Sequence, residues 1–480
     1  MHVCVVGMGA SGWMTAHAIA KVNRVSKVTI IGTDNIPSIG VGESTTRLFM
    51  DFLHTTFGFT FSQPSEEFFK FLVNVDAAFK YGVSYRNWSP KEFMHVFGNW
   101  RYTNGPSGRY RLLGKKSVSE NVNDYTNPIL PFVYANQIDI ATDTNPKAFF
   151  NAIHFDANKF IRALQNIHNK KIETITNDQA VDLLYEGQKA NTLILESGRK
   201  VEADYFISCI GQTAFNQRVF RENYKSYGDV LLTDTAVAGP ISYTDKRTQF
   251  HPYTVAKTMQ YGWRWITPTW SRIGTGYVFS SRHISVDEAI HQLRFDIGDY
   301  TFEPFKVDFS PRKTENTFKY NTCTIGMAGG FLEPLDAPGL TLTVRAINLL
   351  TSILEGGTTI QEANERMNWW FDFWTSFILL QYKTSHRDDS TFWNDQKSVK
   401  FDLFEDLFTQ VMNDNIKTAK ISSTTEIDWN VNMFQNTIAG KDIQWKVSLP
   451  QDLVKVHRID GKFTSHYDYF HNLHELYGEK

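Results

Sequence analysis

Read from its apolar and polar positions, the chain opens as strand, loop, helix, strand, loop, helix. Residues 3–6 are an apolar strand, and Gly7-Met8-Gly9-Ala10-Ser11-Gly12 is a turn leading into a helix from Trp13 to Ala20. Val28-Thr29-Ile30-Ile31 is the second strand. Residues 64–73 have the spacing of an amphipathic helix, with Pro64 near its start and Glu66-Glu67 in its first turn. From Phe79 to Arg86 the pattern alternates: Phe79, Tyr81, Val83 and Tyr85 on one face, Lys80, Gly82, Ser84 and Arg86 on the other. Between Thr103 and Asn127 the text turns to Gly, Ser, Asn and Lys, a stretch expected to be either disordered or a working lid.

Further along, Asp156–Asn169 reads as a helix, followed by short strands at Glu173–Ile175, Ala180–Leu184, Thr192–Leu195 and Tyr205–Ile210. Residues 230–310 alternate aromatic and polar positions and predict a separate sheet, and Thr322-Cys323-Thr324-Ile325 is a last strand before a Gly-rich turn. Leu340–Glu355 is helical, and beyond 360 Trp369, Trp370, Phe373, Trp374 and Phe377 fall at helical spacing. No internal repeat or low-complexity tract appears. The nucleotide-type elements are scattered over about 1–75, 155–215 and 320–360, so that domain is discontinuous. A sheet-rich region (about 76–154 and 216–319) interleaves with it, and a mainly helical region follows at 361–480.

With 480 residues the chain has room for two or three structural units. Its 49 basic and 51 acidic residues leave a net charge of −2, which gives no electrostatic reason to expect nucleic acid or a membrane surface. No apolar run approaches the roughly 20 residues of a membrane span, and the N-terminal strand has no signal-peptide layout before it. Three cysteines without a framework fit a reducing cytoplasm. Cys4, Cys209 and Cys323 each lie in an apolar run ending in Gly7, Gly211 or Gly326, as buried strand residues would; no C-x-x-C exists to support zinc.

The candidate chemistry begins at Gly7-x-Gly9-x-x-Gly12, placed after a strand and before a helix. The first glycine makes the tight turn, the second admits a pyrophosphate to the backbone, and the third lets helix and strand pack closely. NAD and FAD are not distinguished by this motif. The usual ribose-binding acid at the end of the second strand is replaced by Gly32, with Asp34 two residues on as a weak substitute. His466, His471 and the His474-Glu475 pair are metal ligands by type, but their polar C-terminal setting reads as a solvated helix. Ser44, His17 and Asp34 do not make a hydrolase, because no G-x-S-x-G elbow is present.

Three further segments carry a family resemblance: Ile39-Gly40-Val41-Gly42-Glu43-Ser44-Thr45-Thr46, Gly262-Trp263-Arg264-Trp265-Ile266-Thr267-Pro268, and Gly329-Gly330-Phe331-Leu332-Glu333-Pro334-Leu335-Asp336. With residues 272–281 and 382–393, they resemble the flavin-dependent halogenases, especially the tryptophan-halogenase branch with its G-x-G-E-S-T, W-x-W-x-x-P and F-x-E-P-L-E-S-T-G segments. The resemblance implies an α/β fold, α+β overall: a Rossmann-like FAD domain of the aromatic-hydroxylase type, an interleaved sheet region and a C-terminal helical cap. It implies that Gly7, Gly9, Ala10, Ser11, Gly12, Val41, Glu43, Gln179, Met327 and Leu340 contact FAD. Trp263 and Trp265 would form a wall between flavin and substrate, although by type they are as well explained as core aromatics.

Lys80 stands where the resemblance puts the family's essential lysine; by pattern alone it is a solvated lysine on a strand's polar face. Its ammonium would orient hypohalous acid or, deprotonated, form a haloamine. Asp336 stands at the family's active-site glutamate, one methylene shorter, and by pattern alone it is an acid at a helix start. The family's halide-binding Thr-Gly pair corresponds to Pro338-Gly339, where proline offers no N–H, and Ala337 replaces a serine.

The activity so implied is halogenation of an electron-rich aromatic small molecule by reduced FAD, O2 and halide, with bromide and iodide favoured over chloride. A separate flavin reductase is the implied partner, since no nicotinamide module accompanies the single glycine motif. A single-component flavin hydroxylase and a flavin-binding protein without catalysis are the alternatives. A homo-oligomer is left open.

Overall fold

A computed structural model describes residues 1–33, 42–59, 64–90, 92–96, 133, 135–140, 152–412, 433, 437, 441 and 462–478. The polar stretch Thr103–Asn127 and the positions Asp34 and Val41 lie outside the described residues. The chain divides into two units: one of 1–59, 155–234 and 308–372, the other of 60–154, 235–307 and 373–480.

The first unit is built on a six-stranded sheet. Its order is Phe318–Lys319, Thr322–Thr324, Tyr205–Ser208, His2–Val6, Lys27–Gly32 and Ile172–Thr176. The pairs from Thr322–Thr324 to Ile172–Thr176 are all parallel, and both faces are covered. The helix Ala10–Ala20 packs on the sheet, while Cys4, Val6, Ile31 and Phe206 pack against a three-stranded antiparallel sheet of Ala180–Glu186, Lys189–Leu195 and Lys200–Glu202. Cys4 and Cys323 lie within the parallel strands and Cys209 one residue past Tyr205–Ser208; burial pushes the Cys4 and Cys209 thiols up to about 12 and holds Cys323 well above the ordinary thiol range. The Tyr205 strand ends at Ser208, two residues before its apolar run does. Helix Ala157–Gln165 is started by Asp156, whose carboxylate accepts from the N–H groups of Asn158 and Lys159.

The second unit centres on a seven-stranded sheet. From the edge strand Phe305–Asp308 it runs through Thr235–Ile241, Ile273–Phe279, Gly262–Pro268, Thr254–Met259 and Gly82–Arg86 to Phe93–Val96. The aromatic alternation of 230–310 does lie in this sheet, but the region also contains the helix Val286–Ile297. Its signal was Ser285 three residues before Glu288: the Ser285 hydroxyl accepts from the Glu288 N–H at 3.2 Å, ending the strand pattern there.

The alternating segment Phe79–Arg86 is two strands, not one. Ala78–Lys80 pairs antiparallel with Ala152–Phe155, whereas Gly82–Arg86 belongs to the seven-stranded sheet. Tyr81 is the break, its N–H donating to the Pro252 carbonyl at 2.9 Å. Alternation of side chains survives such a break because both halves stay extended, which is why the pattern concealed it.

Candidate functional site

In the first unit the glycine turn has three separate physical reasons. Gly7 takes φ +113°, and a Cβ there would stand 2.7 Å from the Cys209 carbonyl oxygen. A Cβ on Gly12 would stand 1.9 Å from the Gly7 carbonyl oxygen, so only glycine lets the helix Ala10–Ala20 sit this close to the strand. Gly9 is different: its φ is ordinary at −74°, and a Cβ would meet nothing within 4 Å. The space beside Gly9, at a helix N-terminus whose first N–H groups have no helical partner, fits a pyrophosphate. Ala10 and Ser11, half-buried, form the same first turn.

Gly32 ends its strand because Met8 occupies the space where a Cβ would go, 2.8 Å from the Met8 Cγ. No carboxylate can therefore stand at that strand end. A Cβ on Gly326 would lie 2.6 Å from the Ser11 Cβ, so the short helix Gly326–Ala328 packs on the start of the first helix. Met327 in that turn is 37% exposed, which leaves its thioether available to a ligand. Gln179 is exposed in the loop after Ile172–Thr176, its carbonyl accepting from the Glu196 N–H at 2.8 Å, and Glu43 lies half-buried in a two-residue strand.

The helix Pro338–Glu355 begins on two successive left-handed residues, Asp336 at φ 65° and Ala337 at φ 61°. Such a conformation costs about 1–2 kcal/mol for an alanine and less for an aspartate. Asp336 is buried, and Pro338 is the first helical residue, so the foremost backbone donors are those of Gly339 and Leu340, both half-buried. The Thr341 hydroxyl donates to the Ala337 carbonyl at 3.0 Å and therefore accepts from the Thr46 hydroxyl at 2.8 Å, joining the Ile39–Thr46 segment to the start of this helix. Thr343 likewise donates to the Gly339 carbonyl. Sequence reasoning passed over Glu333, which is fully buried and accepts from the Thr233 hydroxyl; its place inside a quoted motif was the available signal.

Lys80 belongs to the second unit, at the end of the strand Ala78–Lys80, and it is fully buried rather than solvated. Strand alternation puts Ala78 and Lys80 on one face, with Ala152 opposite Lys80 and His154 opposite Ala78. Two buried alanines thus make room for the long side chain. His154 is fully buried as well: it meets the Pro268 carbonyl through Nδ1 at 3.0 Å and the Thr254 hydroxyl through Nε2 at 2.7 Å. A carbonyl only accepts, so Nδ1 carries the proton and Nε2 accepts from Thr254. Burial first, then the Lys80 charge, hold His154 well below the ordinary histidine range, so the ring stays neutral beside the lysine. Pro268 closes the W-x-W-x-x-P segment, and His154 thereby links that motif to the lysine strand.

Trp263 and Trp265 are both buried on one face of Gly262–Pro268, with ring centroids 6.3 Å apart. A Cβ on Gly276 would lie 2.2 Å from the Trp265 ring, so this tryptophan fills the space that glycine leaves. His466, expected on a solvated helix, is instead fully buried at the start of the helix His466–Tyr477 and accepts from the Phe79 N–H at 3.1 Å. Helical spacings of four and three residues put Phe470 and Leu473 on the same buried face as His466, which goes inward with them. His474 stacks on Trp270 at 4.6 Å. Among the described residues no group of three or more His, Cys, Asp or Glu is arranged to hold a metal, and no helix is long and apolar enough to cross a membrane.

Comparison with known proteins agrees with this architecture. The family model for tryptophan halogenase matches residues 2–452. Tryptophan 6-halogenase ThaL of Streptomyces albogriseolus is 27% identical over 437 residues, covering 83% of this chain and 79% of that protein. Tryptophan 7-halogenase RebH of Lentzea aerocolonigenes is 26% identical over 428 residues, with the same 83% and 79% coverage. The solved tryptophan halogenase of Shewanella frigidimarina superposes with a TM-score of 0.83 at 22% identity, over 99% of this chain and 93% of that one, which establishes the shared α/β fold.

Proposed function

We propose, for a chain that belongs to the tryptophan halogenase family and is a flavin-dependent halogenase, that it places iodide or bromide in preference to chloride on an electron-rich aromatic small molecule of the indole or phenol class. As in the rest of that two-component class, reduced flavin comes from a separate reductase. The observation that carries the reading is Lys80: a lysine with no exposure, at the end of a strand and beside a neutral histidine, supports a role in chemistry over that of a solvated strand residue.

Gly7, Gly9, Gly12, Ala10 and Ser11 would cradle the pyrophosphate of FAD, with Glu43, Val41, Gln179, Met327 and Leu340 around the rest of the cofactor. Bound reduced FAD supplies, with O2, the oxidation of halide to hypohalous acid. The Lys80 ammonium then donates a hydrogen bond to the oxygen of that acid and holds its halogen toward one ring carbon. If the amine is deprotonated, nitrogen takes the halogen and water leaves, and the haloamine delivers the halogen to the ring. The ring proton departs to a carboxylate, for which Asp336 is the candidate. Trp263 and Trp265 would keep substrate from the flavin.

Halide preference follows from the start of Pro338–Glu355. Proline withdraws one backbone donor, Ala337 offers no hydroxyl, and the protons of Thr46, Thr341 and Thr343 are engaged elsewhere. Chloride, the costliest of the three halides to dehydrate, loses most from a cradle reduced to Gly339 and Leu340. Mass spectrometry of indoles and phenols incubated with the protein, FAD, a reductase and each halide in turn tests the reading. Products heavier by one bromine or iodine are expected. A hydroxylated product, or NAD(P)H oxidation by the protein alone, would overturn it.

A further inference from the structure

We propose that His466 is a positioning residue for Lys80: its imidazole closes the open edge of the lysine strand and fixes the direction in which the amine is presented. The proposal rests on the role of Lys80 given above. Ala78–Lys80 is the edge strand of its small sheet, and Ala152–Phe155 occupies one side only. Successive N–H groups of a strand point to opposite sides, so the Phe79 N–H faces away from that partner. There it donates to His466 Nε2 at 3.1 Å, and the imidazole stands where a neighbouring strand would be.

The same ring is fixed from its other nitrogen. His466 Nδ1 lies 3.0 Å from the Phe250 carbonyl, which only accepts, so Nδ1 bears the proton and Nε2 keeps its lone pair for Phe79. The ring lies flat on Phe250, centroids 4.2 Å apart and planes 5° from parallel. On the far side of Lys80, the Tyr81 N–H donates to the Pro252 carbonyl at 2.9 Å. Both chain neighbours of Lys80 are therefore tied to the 250–252 segment, one directly and one through His466. The helix that carries His466 is itself held: its first N–H donates to the Asn136 carbonyl, and Asp468 pairs with Arg247 at 3.0 Å. Losing the imidazole acceptor leaves a buried Phe79 N–H without its partner and frees the strand end on which Lys80 is aimed.

The test reads the share of consumed O2 that ends in halogenated indole, against the share trapped as hypohalous acid by an added scavenger, with FAD, a reductase and iodide. His466→Phe keeps the flat ring and loses both polar partners. Its halogenated share is expected to fall about tenfold or more, since small misplacement of a reacting group costs up to about a hundredfold. His466→Gln, which offers a donor and an acceptor together, restores most of it. A purely structural role would lower melting temperature and flavin binding without moving the share. An unchanged share in His466→Phe, while Lys80→Ala lowers it, overturns the proposal and leaves the lysine reading standing; an unchanged share in both overturns both. Should His466→Phe not fold, His466→Asn, too short to reach both partners, decides: a lowered share supports the proposal and a wild-type share overturns it.

Discussion

The two units prepare their chemistry by opposite means. Around Gly9 the first unit leaves side chains out: Gly7, Gly12, Gly32 and Gly326 each stand where a Cβ would collide with a neighbour, whereas one on Gly9 would meet nothing within 4 Å. Around Lys80 the second unit buries side chains that water would ordinarily keep, His154 and His466 with the lysine. A binding surface for a large cofactor needs bare backbone, whereas aiming a reactive species needs a charged group in dry surroundings. Substitution should therefore act through space in the first unit and through hydrogen bonds and charge in the second.

The largest effect is expected at Lys80. Lys80→Ala should reduce halogenated product by at least about a hundredfold, because the oxidant loses its aim. Released hypohalous acid, captured by a scavenger, is the accompanying gain. Regioselective product at wild-type yield would show that burying the lysine serves another end.

Gly9 and Gly12 divide the motif between ligand and fold. Gly9→Val meets no protein atom at its Cβ and should fold normally but no longer titrate with FAD. Gly12→Ala drives a methyl into the Gly7 carbonyl and should cost roughly 1–3 kcal/mol of stability, read as a lower denaturant midpoint without ligand. If Gly9→Val instead destabilises and Gly12→Ala only weakens binding, the assignment of space is reversed.

Buried histidines give the second unit a pH signature. His466 is pushed down to about 3 from its usual 6.5 by loss of hydration, with the nearby His251 acting in the same direction. Above about 6.5 neither the folded nor the unfolded chain holds this proton. Between 6.5 and 3 only the unfolded chain binds it, so stability falls as pH falls, by about 1.4 kcal/mol per pH unit for each such histidine. Replacing His466 by Gln should flatten the plot of urea midpoint against pH by one histidine's share. An unaltered slope would mean that the ring titrates normally.

The smallest effect is expected at the helix start. Pro338→Thr returns a backbone donor and should raise chloride use against iodide a few-fold in competition with equimolar halides, read by product mass. Unchanged ratios, or a wild-type protein that prefers chloride, would remove this proline from halide choice.

Legibility in the sequence follows the same division. The glycine motif, the parallel strands with their cysteines and the helix at 340–355 could be read from spacing, because strand and helix periods and steric turns are local properties. Gly32 announced that no carboxylate stands there, but only the packing of Met8 explains why. The surroundings of Lys80 were not legible. Its pattern is that of a solvated face, and the groups that hold its strand and the neighbouring His154 come from residues 152–154, 250–254 and 466, brought together by tertiary pairing alone. The break at Tyr81 was hidden for a related reason, since two extended segments keep one alternation whichever sheet each joins.

If the proposed function holds and hypohalous acid forms, the protein works beside a reagent that consumes sulfur, and the placing of its own sulfur bears on how long it lasts. Oxidation of cysteine proceeds through exposed thiolate. Cys4, Cys209 and Cys323 sit inside the parallel sheet or at its rim, almost without exposure, with thiols that burial raises well above their ordinary range, so little thiolate exists to be attacked. Met327 has less shelter: the residue is 37% exposed in the turn packed against Ser11. Wear over repeated turnovers should accordingly reach that methionine, as a sulfoxide about 16 Da heavier in its peptide, before any thiol is touched.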